Sequence, residues 1–275
     1  MKQQILAIVT GSLLVFCQAG ASDDRLLTDA HIHYSHDAWE LIPPAKAVEI
    51  LRAAGLKKAF VSSSSDEGTQ KLYAEAPELI VPVLRPYRKR GELATWMHDA
   101  TVIEMLTVLV SENRYAGIGE FHAFGDDMEL PVLQGIIELA KQNALFLHAH
   151  SDADAIRRIF HHNPEAVVLW AHSGFDEPEV IAEMLATYPN LWADLAFRSD
   201  HVSGDEIDAD WLKLFSEWPR RILLGTDTYT PERWYYVEDH AAMSRKWLAL
   251  LPVNIAENIA WKNADELLRV SGFLK

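Results

Sequence analysis

The sequence predicts one domain of the α/β class, a (β/α)8 TIM barrel, and three observations predict it. Eight apolar runs recur at intervals that suit a strand, a loop and a returning helix. The segments between them carry apolar residues at helical spacing. Five of the runs close on a metal-capable side chain, as expected where the ends of parallel barrel strands share one rim.

The chain opens with Lys2, an apolar stretch from Ile5 to Phe16 and the small residues Ala19, Gly20 and Ala21, followed by Ser22-Asp23-Asp24. This pattern predicts an export signal over 1–21, cleaved after Ala21, a barrel domain over 22–275, and a periplasmic or secreted location. The apolar stretch is too short for a permanent span, and no later segment approaches the roughly 20 apolar residues needed, so no transmembrane segment is expected in the mature chain. Cys17 raises a lipid anchor as a second possibility, against which the bulky Phe16 before it argues. Cleavage after Ala21 would remove the only cysteine, leaving no disulfide, no thiolate ligand and no cysteine nucleophile.

The predicted strands cover 26–33, 57–64, 79–87, 115–122, 144–150, 166–173, 191–197 and 221–229. From His31 to Asp227 the seven steps average about 28 residues, which favours parallel crossovers over hairpins. Leu133, Ile136, Ile137 and Ala140 mark one intervening helix, and Ile156, Ile159 and Phe160 another. Thr230-Pro231-Glu232 offers a helix start, and Asp176 with Glu179 resembles a capping box. Strands apolar enough to be buried on both sides imply closure, a doubly wound open sheet being the alternative. The stretch after Leu251, with Leu267 and Leu268, reads as a closing helix, and the long loops 34–45 and 198–208 as candidate lids.

The strand-end motifs are D-A-H-I-H at 29–33, G-E-F-H at 119–122, L-H-A-H at 147–150, A-H-S-G at 171–174 and G-T-D-T at 225–228. His31 and His33, two residues apart on a strand, share a face and can bind one ion. Glu120, expected on the face of Ile118, could bridge two ions, and the flanking glycines allow close approach of a neighbour. His148 and His150 share a face; His148 is the preferred ligand, with His150 a substrate contact or supporting partner. His172 and Asp227 complete the expected set, Asp227 as ligand, base or both, its carboxylate held by Thr226 and Thr228. His122, two positions beyond Glu120, is a candidate substrate contact at the pocket mouth. Arg85, within the basic cluster of Arg85, Arg88, Lys89 and Arg90, and Arg198 after the seventh strand could bind an anionic substrate group.

The 25 basic against 40 acidic side chains give a formal charge of −15. So acidic a surface repels polyanions and disfavours nucleic acid, leaving a small molecule as the expected partner. Oligomeric state is silent.

These motifs, in this order, resemble the amidohydrolase superfamily, and the span 26–275 looks like its amidohydrolase-related, or type 2, branch. By that resemblance the ligands are His31 and His33 from the first strand, His148 and His172 from the fifth and sixth, and Asp227 from the eighth. Many binuclear members place a carboxylated lysine on the fourth strand; here Glu120 stands instead, similar to TatD-like hydrolases and phosphotriesterase relatives. The resemblance implies one or two divalent ions, zinc being favoured by the histidine-rich set, that activate water to cleave an amide, ester, lactone or phosphoester bond. Asp227 would take the proton and return it to the leaving group. Two other readings stand beside this one. In a metal-dependent decarboxylase, Arg85 or Arg198 would hold the substrate carboxylate; a noncatalytic barrel would only bind metal or a ligand.

Overall fold

The structure, a computed structural model, describes residues 25–89 and 91–274. The export signal, Cys17 and Arg90 therefore lie outside the described residues. All eight predicted strands form: β1 Leu27–Ile32, β2 Leu56–Val61, β3 Ile80–Leu84, β4 Gly117–His122, β5 Phe146–His150, β6 Val168–Trp170, β7 Leu191–Asp194 and an eighth barrel strand, Ile222–Leu223. Each pairs in parallel with its neighbour in sequence order. Backbone hydrogen bonds from Ala30 N to Leu224 O (2.9 Å) and from Asp227 N to His31 O (2.8 Å) join the last strand's exit to the first. This is a TIM barrel, and the open sheet is set aside.

The observed strands stop short of several predicted ends, because the chain leaves the ladder where it must aim a side chain inward. After β6 the backbone turns left-handed at His172 (φ 56°), Ser173 (φ 52°) and Gly174 (φ 67°), and after the eighth strand it does so at Asp227 (φ 58°). Left-handed backbone at non-glycine residues is uncommon and costs of order 1–3 kcal/mol each; it persists where the surroundings over-determine it, most often at functional sites.

The barrel has a dry floor and a polar mouth. Phe60, Val81, Phe146, Leu169, Trp192 and Leu223 pack inside it together with Leu267 and Leu268 of the closing helix Asn263–Val270. Asn263 anchors that helix, its amide donating to the carbonyls of Pro219 (3.0 Å) and Ile222 (2.8 Å). The helices Pro131–Gln142 and Ala153–His162 bury the apolar positions that their spacing marked. The capping box at Asp176 does not form: Glu177 stands at the N-cap position of the helix Pro178–Thr187 without a side-chain capping bond, and Pro178 starts the helix. Among the described residues no helix is long and apolar enough to cross a membrane.

Candidate metal centre

The mouth of the barrel gathers the histidines and carboxylates of six strand ends. In β1 the register shifts between Asp29 and Ile32, and both His31 and His33 reach the centre. β4 is also irregular, though not as its alternation predicts. Ile118 packs in the larger apolar cluster with the surrounding helices, while Glu120 points to the mouth. The two do not share a face, because Gly119 at φ 137° breaks the period and the pairing to β5 shifts there. Only glycine fits, since a Cβ would stand 2.1 Å from His148 O.

Three donor groups result among the described residues, and the one formed by His31, His172 and Asp194 shares a residue with each of the other two. One ligand atom each of His31, His33 and Asp227 lie within 4.8 Å of one another, as do one each of Glu120, His150 and His172. Glu120 links them: Oε2 is 3.2 Å from His33 Nε2, and Oε1 is 3.4 Å from His31 Nε2, 2.8 Å from His150 Nδ1 and 3.3 Å from His172 Nε2. Asp227 Oδ1 lies 3.3 Å from His33 Nε2 and 3.9 Å from His31 Nε2. His31 Nε2, His33 Nε2 and Asp227 Oδ1 are buried and make no hydrogen bond. Orphaned lone pairs converging on one point are what a divalent cation satisfies, and buried carboxylates at such close quarters require positive charge.

The imidazoles are set in the tautomer a cation needs. His33 Nδ1 faces Ser62 O at 2.8 Å and His172 Nδ1 faces Ala196 O at 2.8 Å. A carbonyl can only accept, so each Nδ1 carries the proton and each Nε2 presents a lone pair. Asp194 does the same for His31, whose Nδ1 donates to Oδ2 at 3.2 Å, and it also accepts from His148 Nε2 (3.1 Å), His172 N (2.8 Å) and Ala196 N (3.0 Å). Burial pushes Asp194 up, but His31 and His148 outweigh it and hold the carboxylate far below its ordinary range. Burial opposes charge on His31, but the carboxylates of Glu120 and Asp194 overcome it and raise its pKa, so a proton and a divalent cation compete for the same Nε2.

Four sequence expectations change here. His148, preferred on β5, is turned to Asp194, and His150 joins Glu120 and His172 instead. Both point inward as expected; His150, at the end of its strand, stands closer to the mouth. Thr226 and Thr228 do not hold the Asp227 carboxylate. Thr226 bonds Asp29, Thr228 bonds the backbone of His33, and Arg233 clasps the Asp227 and Thr226 carbonyls. Arg85 donates to Glu120, with Nη2 to Oε2 at 2.8 Å and Nε to the carbonyl at 3.2 Å, so its charge is already engaged. Arg198 is bound by Asp200 and by the carbonyls of His172 (3.3 Å) and Asp176 (2.8 Å) and does not line the metal-centre cavity. It braces the β6 and β7 exits.

Asp194 and Asp29 are the functional residues the sequence reading missed. Asp29 accepts from His31 N (3.0 Å) and Thr226 N (3.1 Å), tying the first strand to the last; burial pushes it up to about 6 against those hydrogen bonds. Each stands within an apolar run, Asp29 between Thr28 and Ala30 and Asp194 between Ala193 and Leu195, and a lone carboxylate there does not reveal which imidazole it will meet.

Above the donors lies a cavity of about 480 Å³, lined by Arg85, His122, His150, His172 and Asp227 below and by Ser35, His36 and Asp37 of the first long loop at the side. The second long loop, 198–208, folds into a hairpin of Val202–Ser203 with Glu206–Ile207 and lines a different cavity. His122 does reach the mouth. Tyr87 Oη accepts from His122 N (2.7 Å) and donates to His122 Nδ1 (2.8 Å), and the His122 ring stacks on that of His150 with centroids 4.0 Å apart. Phe175, Phe197 and Tyr229, each about half exposed, complete the rim.

No family model and no curated protein matches the sequence. Solved structures share the fold. An uncharacterised TIM-barrel protein of Bordetella bronchiseptica is similar at 16% identity and a TM-score of 0.62, covering 90% of this chain and 99% of that one. A probable 2-pyrone-4,6-dicarboxylic acid hydrolase of Acinetobacter baumannii, with citric acid bound, is similar at 10% identity and a TM-score of 0.59, covering 88% and 99%. A TatD-family hydrolase of Entamoeba histolytica is similar at 10% identity and a TM-score of 0.55, covering 88% and 98%. At these identities the likeness carries the barrel architecture and nothing finer.

Proposed function

We propose that this chain is an exported, metal-dependent hydrolase of a small molecule, of the amidohydrolase type. One observation carries the reading: His31 Nε2, His33 Nε2 and Asp227 Oδ1 converge, buried and without partners, beside a carboxylate that touches four imidazoles. His31, His33 and Asp227 would hold one divalent cation and His150 and His172 a second, with Glu120 between them. Zinc suits so imidazole-rich a donor set. Such a cation would acidify water and polarise the bond to be cleaved.

The rest of the chemistry belongs to the protein. Burial raises the Asp227 carboxyl, but His33 and His31 outweigh it and bring it to about 2, so it is ionised at neutral pH, and as a base it would act through its position rather than through its proton affinity. Its backbone is fixed by Arg233 and by the bond from Asp227 N to His31 O, which holds the carboxylate at the mouth, where it would accept a proton and return it to a leaving group. His122, kept neutral by burial that pushes it down to about 3, is held by Tyr87 at the mouth and can hydrogen-bond the substrate. A decarboxylase would need a free arginine for the substrate carboxylate, and both candidates are engaged, Arg85 by Glu120 and Arg198 by Asp200.

The test joins metal analysis of the purified protein to a screen of esters, lactones, amides and phosphodiesters. Asp227→Asn should keep at least one bound metal and lose activity by about 10² or more. Metal content of zero, or no turnover in any class, defeats the reading; turnover undiminished in Asp227→Asn removes the assigned base. Recovery from the periplasmic or culture fraction checks the location.

A further inference from the structure

We propose that the cavity between the β7 exit and the helix Val237–Leu248 is a second small-molecule site, built for an organic acid with an apolar body. It measures about 590 Å³, larger than the cavity over the metal centre, and lies within the range of small-ligand pockets. Leu195, Leu224, Met243, Trp247 and Leu250 supply its apolar wall. The polar groups among them are unspent. His201 is 4% exposed, its ring edge-on to Trp247 with centroids 4.6 Å apart, and neither ring nitrogen has a hydrogen-bond partner. A neutral imidazole carries one donor and one acceptor, and here both are left unmet. His240 Nδ1, in the same lining, is unpartnered too.

Charge selects the ligand's polar end. Of the three cations in the lining, Arg198 is matched by Asp200, but Arg233 bonds only the Asp227 and Thr226 carbonyls and Lys246 has no ion pair among the described residues. Asp205 is the single carboxylate of the lining, so positive charge is in excess. A carboxylate would find that charge beside Arg233 and Lys246, and its apolar body the wall beside Trp247. The site also touches the metal centre. Phe197 lines both cavities, and the Arg233 guanidinium, 5.1 Å from the Phe197 ring, is the group that clasps the Asp227 carbonyl.

Calorimetric titration of the whole protein with decanoate, and with decanol as the uncharged control, tests the assignment. Decanoate should bind one per chain and decanol about tenfold more weakly or worse. Met243→Trp, at a side chain 62% exposed and therefore safe for folding, should abolish decanoate binding by filling the cavity, with an unchanged melting temperature as control. Lys246→Met should weaken decanoate about tenfold and leave decanol as it was. Binding that survives Met243→Trp, that vanishes with a metal chelator, or that is equal for acid and alcohol overturns the proposal, as does no binding at all.

Discussion

At the scale of single residues, one carboxylate holds several parts of the candidate metal centre together. Asp194, fully buried, orients His31, His148 and the backbone of His172 at once. Asp194→Asn keeps the size but replaces one accepting oxygen with an NH2 group that cannot accept from an imidazole N–H. Metal affinity should fall about 10- to 100-fold, read by competition with a chromogenic chelator; unchanged affinity would show that backbone packing alone positions His31. The β5 pair gives a sharper contrast. His150→Ala should remove one equivalent of metal, whereas His148→Ala should retain both at lower affinity, because only His150 shares a donor group with Glu120 and His172. Most of the site was legible in the sequence because His31, His33, Glu120, His172 and Asp227 are each a polar residue closing an apolar run, which burial forbids without a reason. The choice between His148 and His150 was not, since period-two alternation puts both on one face and only their height along the strand separates them. Arg85 and Arg198 are candidate anion contacts by sequence, and folding engages them instead, Arg85 with the remote Glu120 and Arg198 with Asp200 two residues on.

At the scale of elements, the strand ends carry the departures from regularity and the strand bodies do not. Eight strands were legible because each is a continuous apolar run between helical segments. Their ends were overestimated because the left-handed turns at His172 and Asp227 leave no mark in hydropathy. Gly119 is where this irregularity can be tested. Gly119→Ala meets both a φ of 137° and the His148 carbonyl, so it should cost at least about 2–3 kcal/mol in urea unfolding and displace Glu120, lowering metal stoichiometry together with stability. The closing helix provides the control. Leu267, wholly buried at the floor, touches none of the donors, and Leu267→Ala should cost about 2–5 kcal/mol while leaving metal stoichiometry intact. If both variants lost metal in proportion to stability, floor and mouth would be one cooperative unit, and the role given to the β4 irregularity would fall.

At the scale of the whole molecule, acidity should act on stability through histidines held neutral, and His201 isolates the effect because it lies outside the metal-donor groups. Burial pushes its pKa down from 6.5 to about 4, with Asp200 opposing that fall and Arg198 reinforcing it. Between those values the unfolded chain takes up a proton that the folded chain refuses, so the native state loses stability as pH falls through 6.5 and the loss is nearly complete at pH 4. At about 1.36 kcal/mol per unit, that loss reaches about 3 kcal/mol. His148, down to about 4, and His122, down to about 3, act in the same direction, both through burial, so the wild-type curve alone does not separate them. The difference from a variant does. His201→Phe removes the titrating group and keeps a ring among Trp211, Phe215 and Trp247, so its stability relative to wild type should improve by about 3 kcal/mol between pH 7 and pH 4, measured as paired urea midpoints at each pH. A gap that stays constant with pH would mean that His201 takes its proton inside the fold as readily as outside it, which the dry surroundings of its ring do not permit.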